Sequence, residues 1–230
     1  MKIRNLAITA ISASFLVLGA GCSSDGAGNP GISTPWLGTL QGFERVGGED
    51  EFGVFRRIAP GKMARFERGM LVAPEITVSA RSDLDAMHPE TYEKVKSLFD
   101  AALRQELAKQ FPITEPGAGR SGATHEINIV LNRVTVTRAT NNTLAVRLED
   151  LRFSFPDATI EGDFRELTSN VRAAAIVLPV SAGTVGWNAL RYQLTVFARQ
   201  TAEQAAVAYN AINQEADKPA DPAPKDSAQK

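Results

Sequence analysis

Apolar positions along this chain change period several times, and each period names an element. Tyr92, Val95, Leu98, Phe99, Ala102, Leu103 and Leu107 recur at the three- and four-residue steps that line one face of a helix. Pro89 stands where a first helical turn needs no N–H, and Glu90 and Glu93 suit the positive end of the helix dipole. The helix is expected to run to about Gln110. Trp187, Leu190, Leu194, Phe197, Thr201, Ala205 and Ile212 predict a second amphipathic helix ending near Asn213. Elsewhere the period falls to two. The run from Gly69 to Val78 reads as a first strand, with Pro74 marking an edge or a bulge. From Glu126 to Arg138, Ile127, Ile129 and Leu131 share a face before the alternation shifts to Val134 and Val136, the trace of a bulge. Residues 144 to 155 fit either a short strand or an irregular segment. Ala158, Ile160, Gly162 and Phe164 then alternate with Thr159, Glu161, Asp163 and Arg165, as in a half-buried antiparallel strand with one wet face. A turn at Thr168-Ser169-Asn170 leads to a continuous apolar strand from Val171 to Val180. This order predicts an α+β domain: an antiparallel or mixed sheet of four to five strands with two long helices packed on one face.

The ends of the chain have a different character. Lys2 and Arg4 precede an uncharged, mostly apolar stretch from Leu6 to Leu18, and Gly19-Ala20-Gly21 supplies the small residues a signal peptidase requires. Thirteen residues are too few to cross a bilayer as a permanent helix, which takes about 20. Gly19-Ala20-Gly21-Cys22 resembles the lipobox of bacterial lipoproteins, in which the cysteine becomes an acylated N-terminus. Gly19 stands where an aliphatic residue is usual, with Leu18 one place back, so cleavage to a soluble periplasmic protein is the alternative. Ser23, in place of aspartate, resembles the enterobacterial signal for the outer membrane. Residues 23 to 50 carry Gly26, Gly28, Pro30, Gly31, Pro35, Gly38, Gly42, Gly47 and Gly48, the composition of a flexible tether with a coil dimension of about 28 Å. Within it Trp36, Leu37 and Phe43 are expected to dock on the domain's own core. The expected division is therefore residues 1–21 as signal, 22–50 as lipidated cysteine and tether, 51–213 as one domain, and 214–230 as a disordered, proline-containing tail.

Composition narrows the chemistry. Lys and Arg number 25 against 26 Asp and Glu, and removal of Lys2 and Arg4 with the signal leaves 23 against 26. That balance is not built to hold nucleic acid. One cysteine excludes an intramolecular disulfide, and two histidines leave few ligands for zinc, so neither cofactor nor metal is expected. Gly117-Ala118-Gly119-Arg120-Ser121-Gly122 has the spacing of a dinucleotide loop but follows a helix and precedes a strand, the reverse of the required context, and reads as a connector. Ser121 and His125 suggest a nucleophile and base, yet no elbow motif holds them, and His125 reads as a strand-entry residue. His88 reads as a helix start. Glu161, Asp163, Arg165 and Glu166 concentrate charge on one strand and are expected to form a solvated, ion-paired face. The mixed-sign cluster Arg56, Arg57, Lys62, Arg65, Glu67 and Arg68 reads the same way.

From Arg57 to about Asn213 the arrangement resembles the bacterial lipoproteins grouped as domain of unknown function 3313. The carriers are Ile58-Ala59-Pro60-Gly61 before the first strand, the helix ending in AALRQELAKQFPI, the segment ATIEGDFRELTSN from Ala158, and the late helix opening at Trp187. The turn at Thr168-Ser169-Asn170 departs from it, where a more acidic turn containing Thr-Gly is expected. The resemblance implies a lipid-anchored periplasmic domain and supplies no catalytic residue. The expected role is a non-enzymatic interaction or accessory module on the periplasmic face of the outer membrane, anchored by lipid on Cys22 and meeting an envelope protein partner through a sheet edge or helix face. The strand at Pro74 is the first candidate edge. The alternative is a lipid or small-molecule binder with a pocket between sheet and helices lined by Phe99, Leu103, Phe164 and Trp187. A hydrolase ranks last.

Overall fold

A computed structural model describes residues 33–48, 52–57, 63–82, 88–115, 117–139 and 147–218. The signal segment, Cys22, Ile58-Ala59-Pro60-Gly61, the turn at Asn141-Asn142 and the tail from residue 219 lie outside the described residues. In chain order the elements are β1 (Ser33–Thr34), β2 (Gly38–Thr39), β3 (Phe43–Gly47), β4 (Gly53–Arg57), β5 (Gly69–Leu71), β6 (Glu75–Val78), α1 (Pro89–Leu107), β7 (His125–Arg138), β8 (Leu151–Ser154), β9 (Ala158–Glu166), β10 (Arg172–Val180), β11 (Val185–Gly186) and α2 (Trp187–Ala216). The fold is α+β with two long helices, as expected, but the principal sheet has nine strands rather than four to five.

The extra strands have identifiable causes. Pro74 divides the expected first strand into β5 and β6, which both run parallel to β7 and make the sheet mixed. β8 and β9 meet β7 antiparallel on either side of a break, with Thr135 opposite Ser154 and Asn132 opposite Thr159. Two residues of β7, Arg133 and Val134, therefore face four on its partner, 155–158. β11 resumes the pairing of β10, since Val180 lies opposite Ala158 and Val185 opposite Phe153, five residues further along both strands. β3 and β4 add a hairpin beyond β10. Gly53 admits no other residue there: its φ is +128°, and a Cβ on it would lie 1.9 Å from the Gly47 carbonyl oxygen.

Both helices pack into one core through the face formed by Ile127, Ile129, Leu131, Ile160, Phe164 and Ile176. α1 contributes Val95, Phe99, Leu103 and Leu107, and α2 contributes Leu190, Leu194, Phe197 and Ile212. Phe66, on an extended segment before β5, enters the same core between Phe111, Phe164, Tyr209 and His125. Asn213 holds that segment, with its Oδ1 accepting from Phe66 N–H at 2.8 Å and its Nδ2 donating to Phe66 C=O at 3.2 Å. No described helix is long and apolar enough to cross a membrane.

Residues 33–48 depart most from expectation. The stretch assigned to a flexible tether forms β1, β2 and β3, and Leu37, Leu40 and Phe43 are buried against Phe55, Ala175 and Val177 on the sheet face opposite the helices. The docking expected of Leu37 and Phe43 is therefore found, and it draws the surrounding glycines into order. β1 and β2 pair only with each other and lie across that outer face as a strap.

Candidate functional site: the strapped outer face of the sheet

Alternation along β9 sends Ile160 and Phe164 to the helices and Glu161 and Asp163 to the outer face. That face is covered, so the two carboxylates are 0% and 3% exposed and do not form the solvated face expected of them. Glu161 Oε2 accepts from Thr34 Oγ1–H at 2.5 Å, Leu37 N–H at 2.9 Å and Trp36 N–H at 3.2 Å, while its Oε1 accepts from Asn132 Nδ2–H at 2.7 Å. Four donors replace the water that a buried carboxylate loses. Asp163 accepts from Arg165 Nε–H at 2.6 Å and Arg172 Nε–H at 2.8 Å, and Arg172 also donates to the Leu37 carbonyl at 3.0 Å. The strap is thus pinned at Thr34, Trp36 and Leu37 by Glu161 of β9 and Arg172 of β10, with Asn132 of β7 holding Glu161 from behind. Glu166 and Arg165 remain nearer solvent, as expected of them.

A cleft of about 470 Å³ opens beside the strap. It is lined by Thr34 and Pro35 of the strap, Pro156 and Asp157 of the β8–β9 break, Glu161 of β9 and Val177 and Pro179 of β10. Arg133 reaches it from β7 at a backbone φ of +63°. Asn132, Arg133, Arg172 and Thr34 were not singled out by sequence reasoning. One signal for the cover does exist: a strand apolar at nearly every position, as from Val171 to Val180, is the mark of a sheet buried on both faces.

The other candidate residues are dispersed. Gly117, Gly119 and Gly122 take positive φ in a turn-rich connector between α1 and β7, with open space around each. Ser121 is exposed on that connector, whereas His125 is fully buried, its ring stacked on Phe66 at 4.6 Å and its Nδ1 3.2 Å from Thr124 Oγ1. His125 Nε2 is buried without a hydrogen-bond partner. Burial pushes this imidazole down to about 4, only partly opposed by the Glu166 carboxylate. His88 precedes α1, and its carbonyl accepts from Thr91 and Tyr92 N–H. Arg56 bridges Glu44 and Glu215, and Arg65 lies 3.7 Å from Asp217, so this cluster faces acids within the fold. Phe99, Leu103 and Phe164 are wholly buried in the continuous core, which closes the site expected between sheet and helices. Trp187 is half-buried against Phe153, at 6.1 Å. Among the described residues no three His, Cys, Asp or Glu side chains are grouped to hold a metal.

The expected edge at Pro74 is also occupied. Gly69 exchanges backbone bonds with Pro112 and Thr114, Arg104 donates to the Leu71 carbonyl at 3.1 Å, and Tyr92 O–H donates to the Ile76 carbonyl at 3.1 Å. An incoming strand finds these groups already bonded.

No family model matches the chain, so domain of unknown function 3313 is not shown, and no curated protein matches it. Solved structures give partial likenesses. One is a candidate neuraminyllactose-binding hemagglutinin homolog from Helicobacter pylori, at 14% identity and TM-score 0.36 over 64% of this chain and 85% of that one. Another is a Xanthomonas campestris protein of family DUF330, at 8% identity and TM-score 0.35 over 72% and 97%. A third is a candidate lipoprotein from Caulobacter crescentus, at 14% identity and TM-score 0.28 over 64% and 92%. The chain is similar to these proteins only in part of its course, and superpositions this loose assign it neither a family nor a function.

Proposed function

We propose that this chain is a bacterial envelope lipoprotein, exported by residues 1–21, acylated on Cys22 and held on the periplasmic face of the outer membrane as a non-enzymatic interaction or accessory module. The observation that carries the reading is Gly19-Ala20-Gly21-Cys22 directly after a thirteen-residue apolar run, with this the chain's single cysteine. The resemblance to domain of unknown function 3313 agrees with it. The described fold begins at Ser33, so even a fully extended segment from Cys22 holds the strap within about 40 Å of the acyl chains. Several acyl chains anchor stably where one binds reversibly.

The test is metabolic labelling with an alkyne fatty acid, followed by membrane fractionation and crosslinked capture. Wild type is expected to carry label, sediment with outer membrane and bring down a reproducible envelope protein, while Cys22→Ala loses label and becomes soluble. Sedimentation of Cys22→Ala with the membrane sinks the anchor; a labelled protein that captures nothing sinks the interaction role. A second reading, a lipid or small-molecule binder, is favoured by one observation: the cleft of about 470 Å³ falls in the volume range of ligand sites.

A further inference from the structure

Arg133 adopts a left-handed backbone, φ +63°, in the middle of the fourteen-residue strand β7. Among the described non-glycine residues only Asn170 shares that sign, and it lies in a turn where asparagine tolerates it. Strict alternation from Ile127, Ile129 and Leu131 would send residue 133 into the core. The bulge instead turns it outward, and Val134 and Val136 take the buried side. Both neighbouring pairings shift here: Ile76 faces Leu131 while Val78 faces Val134, and the β8–β9 break lies on the other side. Re-phasing alone is served by Gly, or by Asn at little cost, whereas an arginine in this conformation carries backbone strain. The strained residue is also one that lines the cleft, where it is exposed.

Its surroundings are organised. Thr77 Oγ1 accepts from Arg133 N–H at 3.0 Å and donates to Asn132 Oδ1 at 3.0 Å, and Asn132 donates in turn to Glu161. The Arg133 guanidinium makes no hydrogen bond or ion pair among the described residues. The carboxylates near it are engaged: Glu161 is bonded by four donors, and Asp157 on the rim lies 4.0 Å from Arg81. Phe52, Pro156, Val177 and Pro179 give apolar walls, and Thr159 and Ser181 give hydroxyls. A fork of N–H donors unbonded among the described residues, beside apolar lining, fits a carboxylate on an apolar body.

Resting on the small-molecule reading above, we propose that the cleft binds a carboxylate-headed amphiphile, such as a medium-chain fatty acid, with Arg133 receiving the head group. The experiment is calorimetric titration of the full mature chain carrying Cys22→Ala with octanoate, octanol and octyl phosphate below their aggregation limits. Octanoate is expected to bind at least tenfold more tightly than octanol, and Arg133→Asn to erase that preference while melting no lower than its parent, since asparagine accepts the left-handed backbone. Equal binding of octanoate and octanol overturns the carboxylate assignment and leaves the small-molecule reading standing. Preference for octyl phosphate over octanoate overturns the assignment of a carboxylate head. A lowered melting temperature for Arg133→Asn overturns the claim that arginine is retained at structural cost. If none of the three probes binds, the amphiphile assignment falls while the broader small-molecule reading is left standing.

Discussion

His125 shows how one residue can be correctly placed on a strand and still be misjudged in character. Sequence reading puts it at the start of a strand, and it is there, opposite Glu166. What the neighbours in sequence do not reveal is Phe66 lying over its ring, because that contact joins residues 59 positions apart. The contact has a measurable consequence. An imidazole at about 4 in the folded chain and about 6.5 unfolded favours the folded state fully above pH 6.5. Its contribution is lost progressively as pH falls toward 4, because the unfolded chain takes up the proton first. The total is on the order of 3 kcal/mol. Urea titrations of wild type and His125→Leu across pH 4 to 7 should show a decline that is shallower in the variant; parallel curves would falsify the assignment. Arg133 repeats the lesson, since the phase shift from Leu131 to Val134 announces a bulge while nothing local announces the cleft it faces.

At the scale of elements, α1 and α2 are legible almost to their ends, because a helix face is written at fixed spacing within one segment. The strap is the opposite case. Its glycines and Pro35 describe a chain with little intrinsic order, and its order comes from Leu37, Leu40 and Phe43 burying against β4 and β10, from its donors to Glu161 and from the Leu37 carbonyl accepting from Arg172. Glu161→Gln replaces an acceptor by an amide that must turn its NH₂ toward Asn132 or toward the Leu37 N–H. The expected cost is about 1–3 kcal/mol, concentrated in the strap. In a Trp187→Phe background Trp36 is the sole tryptophan. Its emission in Glu161→Gln should shift to the red at urea concentrations that leave far-ultraviolet circular dichroism native. A single coincident transition would mean that the strap and the sheet unfold as one unit. The same burial explains why Glu161 and Asp163 were read as wet: alternation assigns a side chain to a face, but not a cover to that face.

For the whole molecule, the described core begins at Leu37 and closes with Ala216, so it lies wholly beyond Cys22. Cys22→Ala is accordingly expected to leave the melting temperature of the mature chain unchanged within a degree or two while altering its fractionation. A large fall would show that the N-terminus supports the fold as well as anchoring it. At one edge, Arg104 and Tyr92 of α1 already bond carbonyls of β5 and β6, which disfavours strand addition there. At the far edge, β3 carries a register shift between Arg45 and Gly47, which also disfavours a straight incoming strand.

The two helices and the main strands follow from residues read in order, as does the proposal of export and an anchor at Cys22, because each depends on composition or period within a single segment. The strap, the nine-stranded sheet, the engaged carboxylates and the cleft at Arg133 depend on which segment lies over which. Burial, hydrogen-bond satisfaction and the depressed imidazole arise between residues tens to more than a hundred positions apart, where periodicity carries no information about partners. Only the folded chain brings those residues together.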